Sequence, residues 1–259
     1  MTEEQEDAAI QELRSLLRSG ASEDEIQARS IMLAQGYDGV ARKAQWVFRQ
    51  CLGESPGPVE VYYRHIEAWR EFLLSAARGH GPGDVVPAGV GLERGLFLGW
   101  HFPEYPLWLE NMSRWGLLLL VARVSAWMAE TTGRDALCNF RDPALNLAIP
   151  RALKAGRPIF AMFDYCYPDS HSVVTRFLGR PTRTPGGLLH FARRFGYTAH
   201  VVSVRDGLPV ILDRFHPAEF PVEECARRIN AAIESEILRD PTRWLLWPIA
   251  EDRWTSGED

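Results

Sequence analysis

Apolar side chains in the first 90 residues recur every three or four positions, the spacing that places them on one face of an α-helix. This pattern predicts helices at 3–19, from the capping box Ser22-Glu-Asp-Glu25 onward, at 41–52 and at 59–77. His65 falls on the opposite face of the last helix, so we expect it at or near the surface. Gly and Pro are then frequent between 79 and 91, which indicates a linker. Residues 1–90 are therefore predicted to form a helical N-terminal segment that packs on the rest of the chain.

In residues 91–259, short apolar runs alternate with amphipathic stretches, which predicts strands and helices in turn. The predicted strands are 95–100, 117–124, 158–163, 197–204, 208–215 and 244–247. The predicted helices are 107–115, 144–155, 185–195 and 221–238. Residues 165–184 are predicted to be a long loop, and the turn 205–207 to close an antiparallel hairpin. The predicted fold class is α/β, with a mixed, mostly parallel sheet flanked by helices, and the two segments are expected to form one structural domain.

Two ionisable side chains directly follow predicted strands. His101 comes after the apolar run 95–100, and Asp164 comes after the run 158–163. In open α/β sheets, ligands bind beyond the carboxyl ends of the strands. A histidine there is a candidate general base, because an ordinary imidazole pKa near 6.5 allows it to accept a proton at neutral pH. A purely structural role at a strand end stays open for both residues.

The composition narrows the classes of partner. The chain carries 34 acidic and 29 basic side chains, a formal net charge of −5, which argues against nucleic-acid binding because that binding needs a basic surface. The four cysteines are far apart and form no CxxC pair, so neither a zinc site nor a disulfide framework is indicated. The acidic N-terminus is unlike a secretory signal, and no run approaches the roughly 18 apolar residues of a membrane span. We therefore expect a soluble, cytoplasmic protein without an integral membrane segment.

One succession of motifs resembles a known family. A His101-Phe102 pair follows an apolar strand, Arg-Ala-Leu-Lys-Ala-Gly-Arg157 precedes the strand that ends at Asp164, and Phe177-Leu-Gly-Arg-Pro-Thr-Arg-Thr-Pro-Gly-Gly187 leads into Ala192-Arg-Arg-Phe-Gly196. This order is similar to that of the bacterial lipid A late acyltransferases, the lauroyl and myristoyl transferases of the glycerolphosphate-acyltransferase-like superfamily. The similarity covers roughly residues 40 to 250, and its most specific part is 177–204.

The resemblance implies acyl transfer from a thioester. In the family, a histidine takes the proton of an attacking hydroxyl or amine, and an acid five positions later orients the imidazole. His101 matches the histidine, but Pro106 stands where the acid is expected. Three interpretations stay open: Glu104 replaces the acid, His101 acts without a partner, or catalysis has been lost and binding retained. Asp164 matches the family's strand-end aspartate and is a further candidate for orienting His101 or the acceptor.

Six further residues are candidates for substrate binding, and they are Trp100, Tyr165, Cys166, Arg176, Arg183 and Thr184. Arg183 and Thr184 match the family's loop position. Cys166 could also act as a nucleophile in an acyl-enzyme mechanism. Trp100 could line an acyl pocket, and Arg176 belongs to a local group of arginines suited to an acidic carrier protein. Ordinary roles in the core or on the surface stay open for all six.

These observations lead to one expected function and two alternatives. We expect a soluble acyltransferase that moves an acyl or aminoacyl group from a CoA or carrier-protein thioester to an amine or hydroxyl, in specialised-metabolite biosynthesis. The apolar N-terminal anchor of the family is missing, which favours a small-molecule or carrier-bound acceptor over lipid A. Acyl or peptidyl carrier proteins are possible partners, and no cofactor is expected beyond the thioester donor. The alternatives are a noncatalytic carrier-protein or lipid-binding module and a thioester hydrolase.

Overall fold

The computed structural model of the chain describes residues 2–53, 56–79, 91–139, 142, 147–167, 171–205 and 208–255. Most of the predicted linker at 79–91, the tip of the predicted hairpin turn at 206–207 and the start of the predicted helix 144–155 lie outside these residues. None of the helices within them has the length and apolar content needed to cross a bilayer.

The described part of the N-terminal segment is helical, as predicted. Its α-helices are α1 Glu3–Ser19, α2 Glu23–Ala34, α3 Asp38–Leu52 and α4 Pro58–Arg78. Thr2 and Ser22 each begin a helix with a capping box. The side chain of each accepts from the backbone N–H three residues later, and the side chain of that later residue accepts from the backbone N–H of Thr2 or Ser22. Gly20 ends α1 with φ of 74°, a left-handed conformation that glycine adopts without strain.

The described part of residues 91–255 alternates strands with helices. The strands are β1 Gly95–Gly99, β2 Leu118–Val121, β3 Leu137–Asn139, β4 Ile159–Met162, β5 Ser172–Phe177, β6 Arg180–Pro185, β7 Thr198–Arg205 and β8 Leu208–Phe215. The α-helices are α5 Tyr105–Arg114, α6 Ala126–Thr132, α7 Ala148–Lys154, α8 Gly187–Phe195 and α9 Val222–Arg239. One sheet has the order β3-β2-β4-β1-β7-β8, in which only β8 runs antiparallel. The predicted mixed α/β fold with a mostly parallel sheet is therefore confirmed.

A buried arginine fastens the N-terminal helices to the α/β part. The Arg14 guanidinium on α1 pairs with Glu130 of α6 and donates to the hydroxyl of Thr131 at 2.7 Å. It also donates to the carbonyl of Ala76 on α4 at 3.0 Å. Since only 7% of Arg14 is exposed, its charge must be compensated within the protein, and α4 and α6 provide the partners.

Two predicted secondary-structure segments were wrong. Most of the predicted loop 165–184 is an antiparallel hairpin of β5 and β6, in which Val173 lies opposite Thr184. Leu178 and Gly179 form its turn with φ of 51° and 74°, the positive values that suit a two-residue hairpin. The predicted strand 244–247 is instead an irregular segment that leads into a 3₁₀ helix, Trp247–Arg253.

His65 is fully buried, against the prediction of a surface position. Its Nε2 accepts a hydrogen bond from Trp69 Nε1 at 3.1 Å, and its Nδ1 lies 3.4 Å from the carbonyl oxygen of Thr242. The 3₁₀ turn Pro241–Arg243 covers the side of α4 that the helical pattern assigns to solvent. Burial lowers the pKa of His65 to about 4.

Replacing His65 by glutamine should make the fold less sensitive to acid. An unfolded histidine has a pKa near 6.5, so between that pH and about 4 the unfolded chain binds a proton that buried His65 does not. The free energy of unfolding should therefore fall by roughly 3 kcal/mol more in the wild type than in H65Q between pH 7 and pH 4. Urea titrations of both proteins at the two pH values measure the difference, and equal losses would contradict the assignment.

Candidate active site

His101 and Asp164 occupy equivalent positions past neighbouring parallel strands. β1 pairs with β4 so that Gly99 lies opposite Met162, and the ladder continues as Phe163 N–H donates to the Gly99 carbonyl at 2.9 Å. His101 and Asp164 each lie two residues beyond this pair, one after each strand. The register of two adjacent strands thus brings together side chains 63 positions apart, at the carboxyl edge where α/β sheets bind ligands.

The Asp164 carboxylate holds His101 at two points. Oδ2 accepts from the backbone N–H of His101 at 2.8 Å, and Oδ1 lies 2.7 Å from the ring Nδ1. Because a carboxylate accepts, Nδ1 carries the hydrogen. Nε2 has no hydrogen-bond partner among the described residues, so its lone pair can accept a proton. Burial raises the pKa of the Asp164 carboxyl, but the charge of His101 and the hydrogen bonds from His101 and Trp244 lower it by more, so the net pKa lies below its ordinary value.

Three residues late in the chain hold this pair, and we call Trp244, Leu245 and Arg253 the clamp. Trp244 Nε1 donates to Asp164 Oδ2 at 2.7 Å, and the Arg253 guanidinium donates to the Asp164 carbonyl at 2.6 Å. Leu245 N–H donates to the carbonyl of His101 at 3.1 Å. Arg253 is only 1% exposed, and burial lowers its pKa to about 10. The clamp therefore supplies a fixed donor and a nearby positive charge that favour the ionised form of Asp164.

A cavity of about 650 Å³ lies beside His101 at this edge of the sheet. Much of its wall is apolar and comes from both sheet and helices, including Leu120, Ile149, Met162, Phe163, Leu188 and Phe191. Polar side chains also reach it, among them Glu6, Tyr105, Arg123 and Tyr165. This volume and this mixture of a mostly apolar wall with a few polar groups are typical of small-molecule sites.

The structure gives Glu104 a partner other than His101. Its carboxylate pairs with the Arg243 guanidinium, which also lies 3.0 Å from Glu71. The interpretation that His101 acts without an acidic partner does not hold either, because Asp164 contacts it directly. Pro106 lies in the first turn of α5, where its missing N–H leaves no helical hydrogen bond unmade.

Among the six proposed substrate-binding residues, Tyr165 lines the cavity and the other five are not among the residues that line it. Trp100 is buried and its Nε1 donates to the Ser203 hydroxyl at 3.0 Å, so it belongs to the core. Cys166 is also buried, and its thiol contacts the Tyr167 carbonyl at 3.7 Å. That enclosure argues against Cys166 as a nucleophile.

The remaining three lie on the β5–β6 hairpin. Thr184 is fully buried and its hydroxyl accepts from Asn230 of α9 at 2.8 Å, because the inner face of the hairpin packs on that helix. Arg176 is exposed and donates to the carbonyl of Gly179 at 2.9 Å. Arg183 is half-buried on β6. The segment expected to surround a substrate is thus a regular hairpin, in which Arg176 bonds within the hairpin and Thr184 bonds to α9.

Sequence reasoning missed four residues around the site: Glu6, Tyr105, Trp244 and Arg253. Trp244 falls in the predicted strand 244–247, and nothing in that short segment indicates its contact with Asp164. Tyr105 lies on α5 with its ring centroid 5.7 Å from that of His101. Nothing in the local pattern of α1 distinguishes Glu6 from the other acidic residues of its first turns. Its place in the cavity depends on how the N-terminal helices pack.

Comparisons with known proteins do not assign this site. No family model matches the chain, and no curated protein matches it either. Within the residues that the structure describes, no group of three or more His, Cys, Asp or Glu side chains is arranged to hold a metal ion.

Replacing Trp244 by phenylalanine should weaken the fold in a pH-dependent way. The substitution keeps a buried ring but removes a hydrogen bond to a charged acceptor, which should cost about 1.5 to 3 kcal/mol of unfolding free energy at pH 7. Because the folded pKa of Asp164 is depressed, this contribution is present above the ordinary carboxyl pKa and is lost as pH falls through the folded value.

Urea unfolding of W244F at neutral and acidic pH tests this expectation. Trp247→Phe is the matched control, since Trp247 is equally buried but its Nε1 donates to the neutral carbonyl of Pro241. Its cost should not depend on pH. If W244F and W247F lose stability in parallel across the pH range, Trp244 does not support the Asp164 charge.

Proposed function

We propose that the protein is an acyltransferase that moves an acyl or aminoacyl group from a thioester, carried by CoA or a carrier protein, to an amine or hydroxyl. The observation that carries the proposal is the hydrogen-bonded His101–Asp164 pair in the wall of a largely apolar cavity. A histidine oriented through Nδ1 by a buried carboxylate is an arrangement that proteins use for general base catalysis. The sequence resemblance to lipid A late acyltransferases supports the same class of reaction.

In this mechanism His101 moves one proton. Nε2 takes it from the acceptor as the acceptor nitrogen or oxygen attacks the thioester carbonyl carbon. The new C–N or C–O bond forms, the C–S bond breaks, and the proton passes from His101 to the leaving sulfur. Asp164 keeps the hydrogen on Nδ1 and stabilises the imidazolium that exists between the two proton transfers. The products are the acylated acceptor and a free thiol.

Asp164 takes over the function that the family assigns to an acid five positions after the histidine. Asp164 follows the neighbouring strand β4 at the same carboxyl edge of the sheet as His101, and its carboxylate lies 2.7 Å from Nδ1. The apolar wall formed by residues such as Leu188 and Phe191 suits an acyl chain, because burying each CH₂ group contributes roughly 0.8 kcal/mol. These features support an acyl donor and leave its length undefined.

Thiol release from a panel of acyl-CoA and acyl-carrier thioesters tests the proposal, with and without pooled amines and alcohols. His101→Ala should lower the acceptor-dependent rate on the order of 10² to 10⁴. Asp164→Asn should also lower it by about 10² or more, because an amide cannot select the productive tautomer and stabilise the imidazolium. Mass spectrometry of the acceptor pool identifies the product.

Glu104→Gln is the matched control, because it makes the same change at the carboxylate that pairs with Arg243. Its rate should stay close to that of the wild type. His101-dependent thiol release that forms only free acid would instead identify a thioester hydrolase. Folded protein that binds carrier protein but shows no His101-dependent release with any donor would favour the noncatalytic binding module.

A further inference from the structure

One end of the cavity carries charged side chains. Glu6, on α1, reaches it from the N-terminal segment, and 19% of its side chain is exposed. The Tyr37 hydroxyl donates to Glu6 Oε2 at 3.2 Å. Arg123 also lines this end, with its guanidinium 3.9 Å from Glu6 and 2.5 Å from Glu3. We call Glu6 and Arg123 the charged end of the cavity.

The negative charge at this end is only partly compensated. Arg123 makes its close contact with Glu3, at the surface, and is more distant from Glu6. Asp7, next in the chain, adds a further carboxylate near Glu6. Burial raises the pKa of Glu6, while the hydrogen bond from Tyr37 and the charge of Arg123 lower it by less. A largely buried carboxylate with an incompletely compensated charge is stabilised in its ionised form by a second cation within hydrogen-bond distance.

Tyr105 connects the charged end to the His101–Asp164 pair. Its ring meets the His101 imidazole edge to face at 5.7 Å between centroids. Burial and the negative charge of Glu6 both raise the pKa of Tyr105, so its hydroxyl stays protonated beside the carboxylate. Glu6 and His101 therefore line one continuous cavity with a neutral aromatic residue between them.

We propose that Glu6 binds a cationic amino group of the acceptor, so that the acceptor carries an ammonium at one end and its attacking amine or hydroxyl at the other. This inference rests on the proposed acyl transfer. Tyr105 lies along the acceptor between the two ends. The ammonium at Glu6 keeps its proton and takes no part in bond making, while the attacking group gives its proton to His101 Nε2. Diamines and amino alcohols are the smallest molecules of this class.

The rate of thiol release with cadaverine and its shorter and longer homologues tests the acceptor class. The matched acceptors are n-pentylamine, which has no second cation, and δ-aminovalerate, which has a carboxylate in its place. The wild type should use the best diamine at least about tenfold faster than the monoamine, since a hydrogen bond between charged groups typically contributes that much. E6Q should lose this preference and treat the two alike.

Two further variants keep the test specific. E4Q makes the same substitution at an exposed position on α1 and should retain the preference. R123Q removes the cation that competes for Glu6 and should bind the diamine as tightly as the wild type or more tightly. Faster use of δ-aminovalerate, abolished in R123Q, would overturn the proposal in favour of an anionic acceptor.

Direct binding separates this inference from the proposed reaction. Thermal shift and equilibrium dialysis with cadaverine should show binding by the wild type and by H101A, with weaker binding by E6Q. Diamine binding that depends on Glu6 without any His101-dependent thiol release would reject the transferase and keep the site. His101-dependent transfer with no effect of E6Q on acceptor choice or binding would reject the site and keep the transferase.

Discussion

The parallel register of β1 and β4 is the constraint on which the site depends. Gly99 and Met162 are paired in the ladder. His101 and Asp164 lie two residues after them, and their side chains meet. A slip of one residue would turn one of the two side chains to the other face of the sheet, because side chains alternate along a strand. The buried apolar runs on both strands oppose such a slip. The same packing that specifies the sheet therefore specifies the contact between the two side chains.

The sequence predicts the features that neighbouring residues determine, and it does not predict those that depend on contacts between distant parts of the chain. The helices of the first 90 residues follow from local periodicity and capping, and the placement of His101 and Asp164 after strands follows from short apolar runs. That β1 and β4 are neighbours is a property of strand order, which no local pattern encodes. Asp164 could therefore be listed as a candidate partner of His101 but not selected over Glu104.

The errors have a common physical origin in tertiary packing. His65 was assigned to the surface from the phase of one helix, but a segment 177 positions later covers it. The β5–β6 hairpin was missed because arginine and proline interrupt its alternation, although its β-branched residues pair across the strands. Glu6 entered no list of candidates because its role in the cavity depends on the docking of α1. Each feature depends on a contact between distant parts of the chain.

The clamp places a condition on when the site can exist. Trp244, Leu245 and Arg253 contact Asp164 and His101 from segments that follow all eight described strands in the chain. During synthesis, all eight strands are therefore made before the Asp164 carboxylate can gain its donor from Trp244 and before its carbonyl can gain the Arg253 guanidinium. His101 and Asp164 acquire their final contacts only when the chain has been synthesised past residue 253, so the geometry of this edge is completed late.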